Sequence, residues 1–156
     1  MKKMLKKSKG FTLVELLIVI IIIGILAGMM MLATGAATDK AEATKIVANM
    51  RSIKAAAVMY YADNNAWPTV TFTDNGTSSL DEYLDQKPGA GYKVVNSSTA
   101  YAVSYGGTDS KIATANGGIN KKLADMAANS GLYNGVSSDT KYTADGMTVY
   151  MPLNKQ

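Results

Sequence analysis

From Leu16 to Thr38 the chain runs for 23 residues without a charged side chain, and Leu16 to Ala33 is almost wholly apolar (LLIVIIIIGILAGMMMLA). At the helical rise per residue such a segment reaches roughly 35 Å, enough to cross a bilayer core of about 30 Å. A basic tip precedes it. Residues 1–10 hold five lysines (positions 2, 3, 6, 7 and 9) and no acid. Of the whole chain's 16 Lys and Arg against 12 Asp and Glu, the remainder keeps 11 basic against 12 acidic residues. Basicity therefore belongs to the tip, and the body has no electrostatic claim to nucleic acid.

The chain has no Cys and no His among its 156 residues. Disulfides, thiolate nucleophiles and thiolate metal sites are excluded, as are the commonest general base and the commonest zinc ligand. No catalytic constellation is expected, and no cofactor or metal ligand set. Asp74-Asn75-Gly76 and Gly107-Thr108-Asp109 offer oxygen ligands, but turn chemistry accounts for both.

Beyond Asp39 the pattern turns amphipathic. Ile46, Met50, Ile53 and Ala57 recur at i, i+4, i+7 and i+11, with Val47 and Val58 alongside. Lys45, Asn49, Arg51 and Lys54 lie mostly off that stripe, as on a helix with one buried face. No Pro occurs between Phe11 and Ala66, so one continuous helix of about 50 residues is expected, closing near Asp63-Asn64-Asn65 ahead of Trp67-Pro68. The rest is rich in Gly, Ser, Thr, Asn and Tyr. Ser79-Leu80-Asp81-Glu82 has capping-box spacing and predicts a short helix to about Asp85. Tyr92–Asn96, Thr99–Tyr105, Lys111–Thr114 and Met147–Met151 read as strands. Ile119, Leu123 and Met126 predict a second helix stopped near Gly131. The expected organisation is a leader at 1–10, an apolar helix at 11–38, its amphipathic continuation at 39–66 and a head at 67–156. The fold class is α+β, a long N-terminal helix packed on a small antiparallel sheet. A head of ninety residues without disulfides needs outside apolar surface to complete its core. The stripe over residues 46–58 can supply it. The nine Tyr, including Tyr60-Tyr61, Tyr101 and Tyr105, read as core and strand aromatics with hydroxyls at the rim.

Three readings of the N-terminus compete. A secretory signal would be cut after the apolar run, at Gly35-Ala36-Ala37, but 18 apolar residues exceed the usual length of that region. A plain anchor would stay uncut with its lysines in the cytoplasm. Neither explains Glu15, an acid four residues into an apolar stretch, where a carboxylate is costly and a functional role is the default expectation.

Lys9-Gly10-Phe11-Thr12-Leu13-Val14-Glu15-Leu16, followed by the apolar run, resembles the type III signal of type IV prepilins and pseudopilins. The motif covers about 25 residues, and Ala55–Pro68 (AAAVMYYADNNAWP) also looks like the end of a pilin helix. The resemblance implies the pilin fold and cleavage between Gly10 and Phe11 by prepilin peptidase. It also implies N-methylation of Phe11, and pairing of Glu15 with the Phe11 ammonium of a neighbouring subunit. It implies a structural subunit, not an enzyme. Identical subunits would form a helical homopolymer through an assembly platform, first in the cytoplasmic membrane with the N-terminus inside, then in an extracellular pilus serving adhesion, motility or DNA uptake. A pseudopilin of type II secretion or of a competence system is the alternative within the family. A membrane-anchored or secreted ligand-binding module is the alternative outside it. Gly24 matches a glycine common in the family, and Gly24 and Gly28 form G-x-x-x-G. Close helix packing and a helix that can extend on assembly both remain open for them. Many members carry Pro eight residues beyond this glycine. Leu32 stands there instead, and Thr34-Gly35 offers a softer break.

Overall fold

The computed structural model describes residues 10–98, 100–108, 110–114, 117–137 and 139–154, apart from the side chains of residues 32–34. The leader lysines lie outside the described residues. Helix α1 runs Leu13–Asn64, 52 residues, as the absence of breakers requires. Contacts divide the chain at Ala37/Thr38 into two compact units.

In the first unit every described side chain from Gly10 to Met31 is exposed, including Ile20, Ile21, Ile22 and Ile23, each more than half exposed. α1 is long and apolar enough to cross a membrane by length and composition.

The second unit, Thr38–Gln156, is built on a four-stranded antiparallel sheet in the order β1 (Val70–Thr71), β2 (Tyr92–Ser97), β3 (Ala100–Gly106) and β4 (Thr148–Pro152). Register aligns Val70, Val94, Val103 and Met151 in one row across the strands, and Tyr92, Tyr105 and Val149 in a second. All seven are buried. They share a core with the α1 stripe, where Ile46, Val47, Met50, Ile53 and Ala57 are each no more than 4% exposed. Burying a side chain of this size contributes roughly 1.5–3 kcal/mol. The amphipathic part of α1 thus supplies the apolar surface that the remaining residues lack. The expected α+β class and the helix-on-sheet packing are both found.

Helix α2 spans Gly118–Ser130 and closes on Gly131 in the left-handed conformation (φ 67°), whose N–H donates to the Ala127 carbonyl. Glycine takes that conformation without a side-chain clash. With no disulfide, the C-terminal segment is held by backbone pairing. Tyr133 bridges to Lys141 and Tyr150, and the Tyr142 N–H donates to the Leu132 carbonyl at 3.0 Å.

Three local expectations need correction. Lys111–Thr114 is not a strand. The Ser110 and Ala113 amides donate to the carbonyls three residues back, so the segment turns and Ile112 plugs the core at 0% exposure. The short helix near residue 80 is a 3-10 turn, Asp81–Tyr83, and its anchor is Ser78 rather than Ser79: Ser78 Oγ donates to Asp81 Oδ1 at 2.6 Å. Val58 is 47% exposed, while Ala56 and Ala43 join the buried face.

Candidate functional site

The N-terminal signal begins in non-helical backbone. Gly10, Phe11 and Thr12 precede the helix, Phe11 is 89% exposed, and α1 starts at Leu13. Glu15 is tied to this start. The Thr12 N–H and the Thr12 Oγ1 hydroxyl each donate to Glu15 Oε2 at 2.8 Å, and the Glu15 N–H donates to Thr12 Oγ1 at 3.2 Å. This is a capping box, in which a Thr N-cap and a Glu three residues on satisfy each other's backbone donors. From the sequence Glu15 is expected as a membrane acid that pairs with a neighbouring Phe11 ammonium, not as a helix cap. The Thr-x-x-Glu spacing ahead of an apolar run was the available signal for its second role. In the uncut chain the Phe11 nitrogen is an amide, so no ammonium competes for the carboxylate.

The glycines of the signal and helix share one property. A Cβ built on Gly10, Gly24, Gly28 or Gly35 meets nothing within 4 Å. Each of the last three lies inside α1, where Gly costs roughly 0.5–1 kcal/mol relative to Ala. Packing within the subunit therefore does not require these glycines.

The other sequence candidates resolve into structure. Asp74 Oδ1 accepts the Ala90 N–H at 2.9 Å, the use of a turn residue. Asp109 lies outside the described residues. Among the described residues no group of three or more acids, His or Cys is placed to hold a metal. Tyr61, Trp67 and Tyr101 stack in sequence, with centroids 4.5 Å and 5.7 Å apart, and Tyr60 meets Tyr83 edge-on. Burial pushes the Tyr92 hydroxyl up to about 12, against its hydrogen bond from Asn49. At the 3-10 turn, hydrogen bonds from Ser78 and then Lys87 hold the Asp81 carboxyl below its ordinary value. Tyr83 is raised, chiefly by donating to Asp63.

Residues 5–31 match the family described as the prokaryotic N-terminal methylation motif. Similar curated proteins include the type II secretion system core protein G of Klebsiella michiganensis, 34% identical over 87 residues, which are 56% of this chain and 59% of that protein. The protein of the same name from Vibrio cholerae is 39% identical over 80 residues, 51% of this chain and 52% of its own length. The chain thus spans less than two thirds of the length of the curated relatives it matches. Among solved structures, the major type IV pilin PilA1 from Clostridium difficile superposes with a TM-score of 0.54 at 22% identity, covering 78% of this chain and all of that one. The fold is that of a type IV pilin, behind an N-terminal methylation signal. The methylation motif and the fold are each similar to what type IV pilins and pseudopilins carry.

Proposed function

We propose that this chain is a structural subunit of a type IV pilus filament. Prepilin peptidase cuts it between Gly10 and Phe11, and Phe11 becomes the methylated N-terminus. The subunit waits in the cytoplasmic membrane with its N-terminus inside, then joins identical subunits on an assembly platform and leaves as part of an extracellular filament. One observation carries the reading: an apolar helix whose described side chains are all exposed from Phe11 to Met31, placed directly behind a methylation motif. Such a surface demands cover, first from lipid and then from other copies of the helix. Open helical symmetry follows when a heterologous contact does not close into a ring.

Phe11 and Glu15 are the assembly residues in this scheme. The capping box fills Glu15 Oε2 with donors from its own chain. The incoming ammonium of a neighbouring Phe11 adds the charge that hydroxyl and amide donors lack. Glu15→Gln separates the two roles, because the amide oxygen can still accept from Thr12 while the charge is gone. The test combines mass spectrometry of the processed N-terminus with electron microscopy of sheared filaments. A methylated Phe11 terminus, and at least tenfold fewer filaments from both Glu15→Gln and Glu15→Ala at unchanged processing, are expected. A mature terminus near Thr38, or an uncut Met1, overturns the processing scheme. Wild-type filament yield from Glu15→Gln reduces Glu15 to a cap.

The similarity to type II secretion core proteins favours a second reading, a pseudopilin whose short filament serves secretion. Deleting the chain discriminates. Loss of surface filaments supports the pilus, and retention of exported proteins behind the outer membrane supports the pseudopilin.

A further inference from the structure

The second unit carries one hollow of about 660 Å³ lined by Arg51, Lys54, Ser130, Tyr133, Lys141 and Pro152. Among the described residues its three cations have hydrogen bonds to neutral partners. Arg51 Nη2 donates to Ser130 Oγ at 3.4 Å, and Lys54 Nζ donates to the Pro152 carbonyl at 2.6 Å. Lys141 Nζ donates to the Tyr133 hydroxyl at 2.9 Å and stands 4.1 Å from that ring's centroid. Among the described residues none of the three is in an ion pair, whereas Lys87, Lys111 and Lys122 each meet a carboxylate. Three like charges lining one hollow repel each other unless an anion sits among them.

The matching anions lie elsewhere on the same unit. Glu82 and Asp85 are exposed and in no ion pair among the described residues, unlike Asp81, which holds Lys87 at 3.0 Å. They border a different hollow, shared with Lys45, Asn49 and Ser52. At 3.6 residues per turn, Lys45, Asn49 and Ser52 fall on one edge of the buried stripe of α1, and Arg51 and Lys54 on the other. Cations and acids therefore flank opposite edges of the same helix. The spacing also agrees, since Arg51 and Lys54 are three residues apart, as are Glu82 and Asp85. Complementary patches at two different places on one molecule define a heterologous contact, which propagates as an open helix when its rotation does not close into a ring.

We propose that the Arg51–Lys54–Lys141 hollow receives the Glu82–Asp85 segment of a second copy of this chain, as a lateral contact between neighbouring heads. The inference rests on the filament reading and adds the surfaces through which the heads meet. It explains why, among the described residues, three cations gather without an acid of their own and two acids three residues apart are in no ion pair.

The absence of cysteine from the chain makes the test clean. Lys54→Cys combined with Asp85→Cys is expressed in the full chain, and its sheared filaments are oxidised. A ladder of covalent multimers that collapses on reduction is expected, while each single variant stays monomeric. Charge reversal is the second arm. Arg51→Glu with Lys54→Glu should lower filament yield at least tenfold at unchanged levels of processed subunit. Adding Glu82→Lys and Asp85→Lys should restore at least half of it. Filaments that form normally but give no ladder overturn the contact and leave the filament reading standing, as do charge-reversed subunits that assemble at wild-type yield. Inorganic phosphate that binds the wild-type hollow in filaments showing no cross-link also overturns it, and assigns the hollow to a free anion. Absence of wild-type filaments under conditions that produce processed subunit counts against the filament reading itself.

Discussion

Met50 and Val58 lie eight residues apart on α1, and the structure gives them opposite roles. Met50 is fully buried among Ile46, Ile53 and the inward rows of the sheet, whereas Val58 is 47% exposed. Met→Ala in a core costs about 2–5 kcal/mol, through lost transfer energy and the cavity left behind. A site bounded by a hydrogen-bonded sheet collapses poorly, so about 3 kcal/mol is expected for Met50→Ala. Val58→Ala loses little burial and gains helix propensity, so its net effect should stay within about 0.5 kcal/mol. In a unit of roughly 120 residues, 1 kcal/mol shifts the melting temperature by about 4 °C. Thermal unfolding of residues 38–156, followed by circular dichroism, should therefore show Met50→Ala melting roughly 12 °C below wild type and Val58→Ala within about 2 °C. Met50→Leu, which conserves volume, should recover most of the loss. If Met50→Ala shifted the midpoint by less than about 4 °C, or Val58→Ala matched it, the claim that α1 completes the core of the head would fail.

Three further outcomes are expected. A Cβ at Gly106 would stand 2.5 Å from the Met147 carbonyl oxygen and 2.7 Å from the Thr148 Cα, both backbone, so Gly106→Ala must push β3 from β4. It should lower stability by about 1–3 kcal/mol in the same melting assay. Burial raises Tyr92 and Tyr142 to about 12, above the ordinary value of 10. The folded state then holds those protons more tightly, so the stability these two hydroxyls contribute is full below about pH 10 and is lost from there to about pH 12. Tyr92→Phe should flatten part of that slope in alkaline melts, and an unchanged slope would refute the assignment. Finally, residues 67–156 hold 7 Lys against 8 Asp and Glu, so no specific nucleic acid is expected. Duplex DNA should bind residues 38–156 more weakly than about 1 µM at physiological salt, measured by fluorescence anisotropy.

Much of this fold can be read from residues because two independent patterns select the same element. The uncharged run and the i, i+4, i+7 stripe both specify helix, and no breaker separates them. The limits are equally physical. Val58 follows Ala57 in sequence, but a 100° step carries it off the buried face, and the periodicity leaves that edge undefined by one residue. β1 has two residues, too few to display alternation. Lys111–Thr114 shows two apolar residues, Ile112 and Ala113, between polar ones, a pattern that a turn with a buried Ile112 plug reproduces. The methylation motif matched over residues 5–31 is legible because its spacing is local. The cationic hollow is not, because Arg51, Lys54 and Lys141 meet only through the packing of α1 against the C-terminal segment.

The Thr12–Glu15 box also bears on what leader removal does to the subunit. Every group in the box lies downstream of the Gly10–Phe11 bond, and the Thr12 N–H remains an ordinary amide once that bond is cut. Among the described residues the groups that start the helix therefore all lie on the helix side of the bond proposed to be cut. The capped turn also marks where non-helical backbone gives way to helix, with the proposed scissile bond on the non-helical side. Maturation can thus change the charge at the tip without loosening the first turn behind it. A Thr12→Val subunit should fray at its first turn with the leader present or absent.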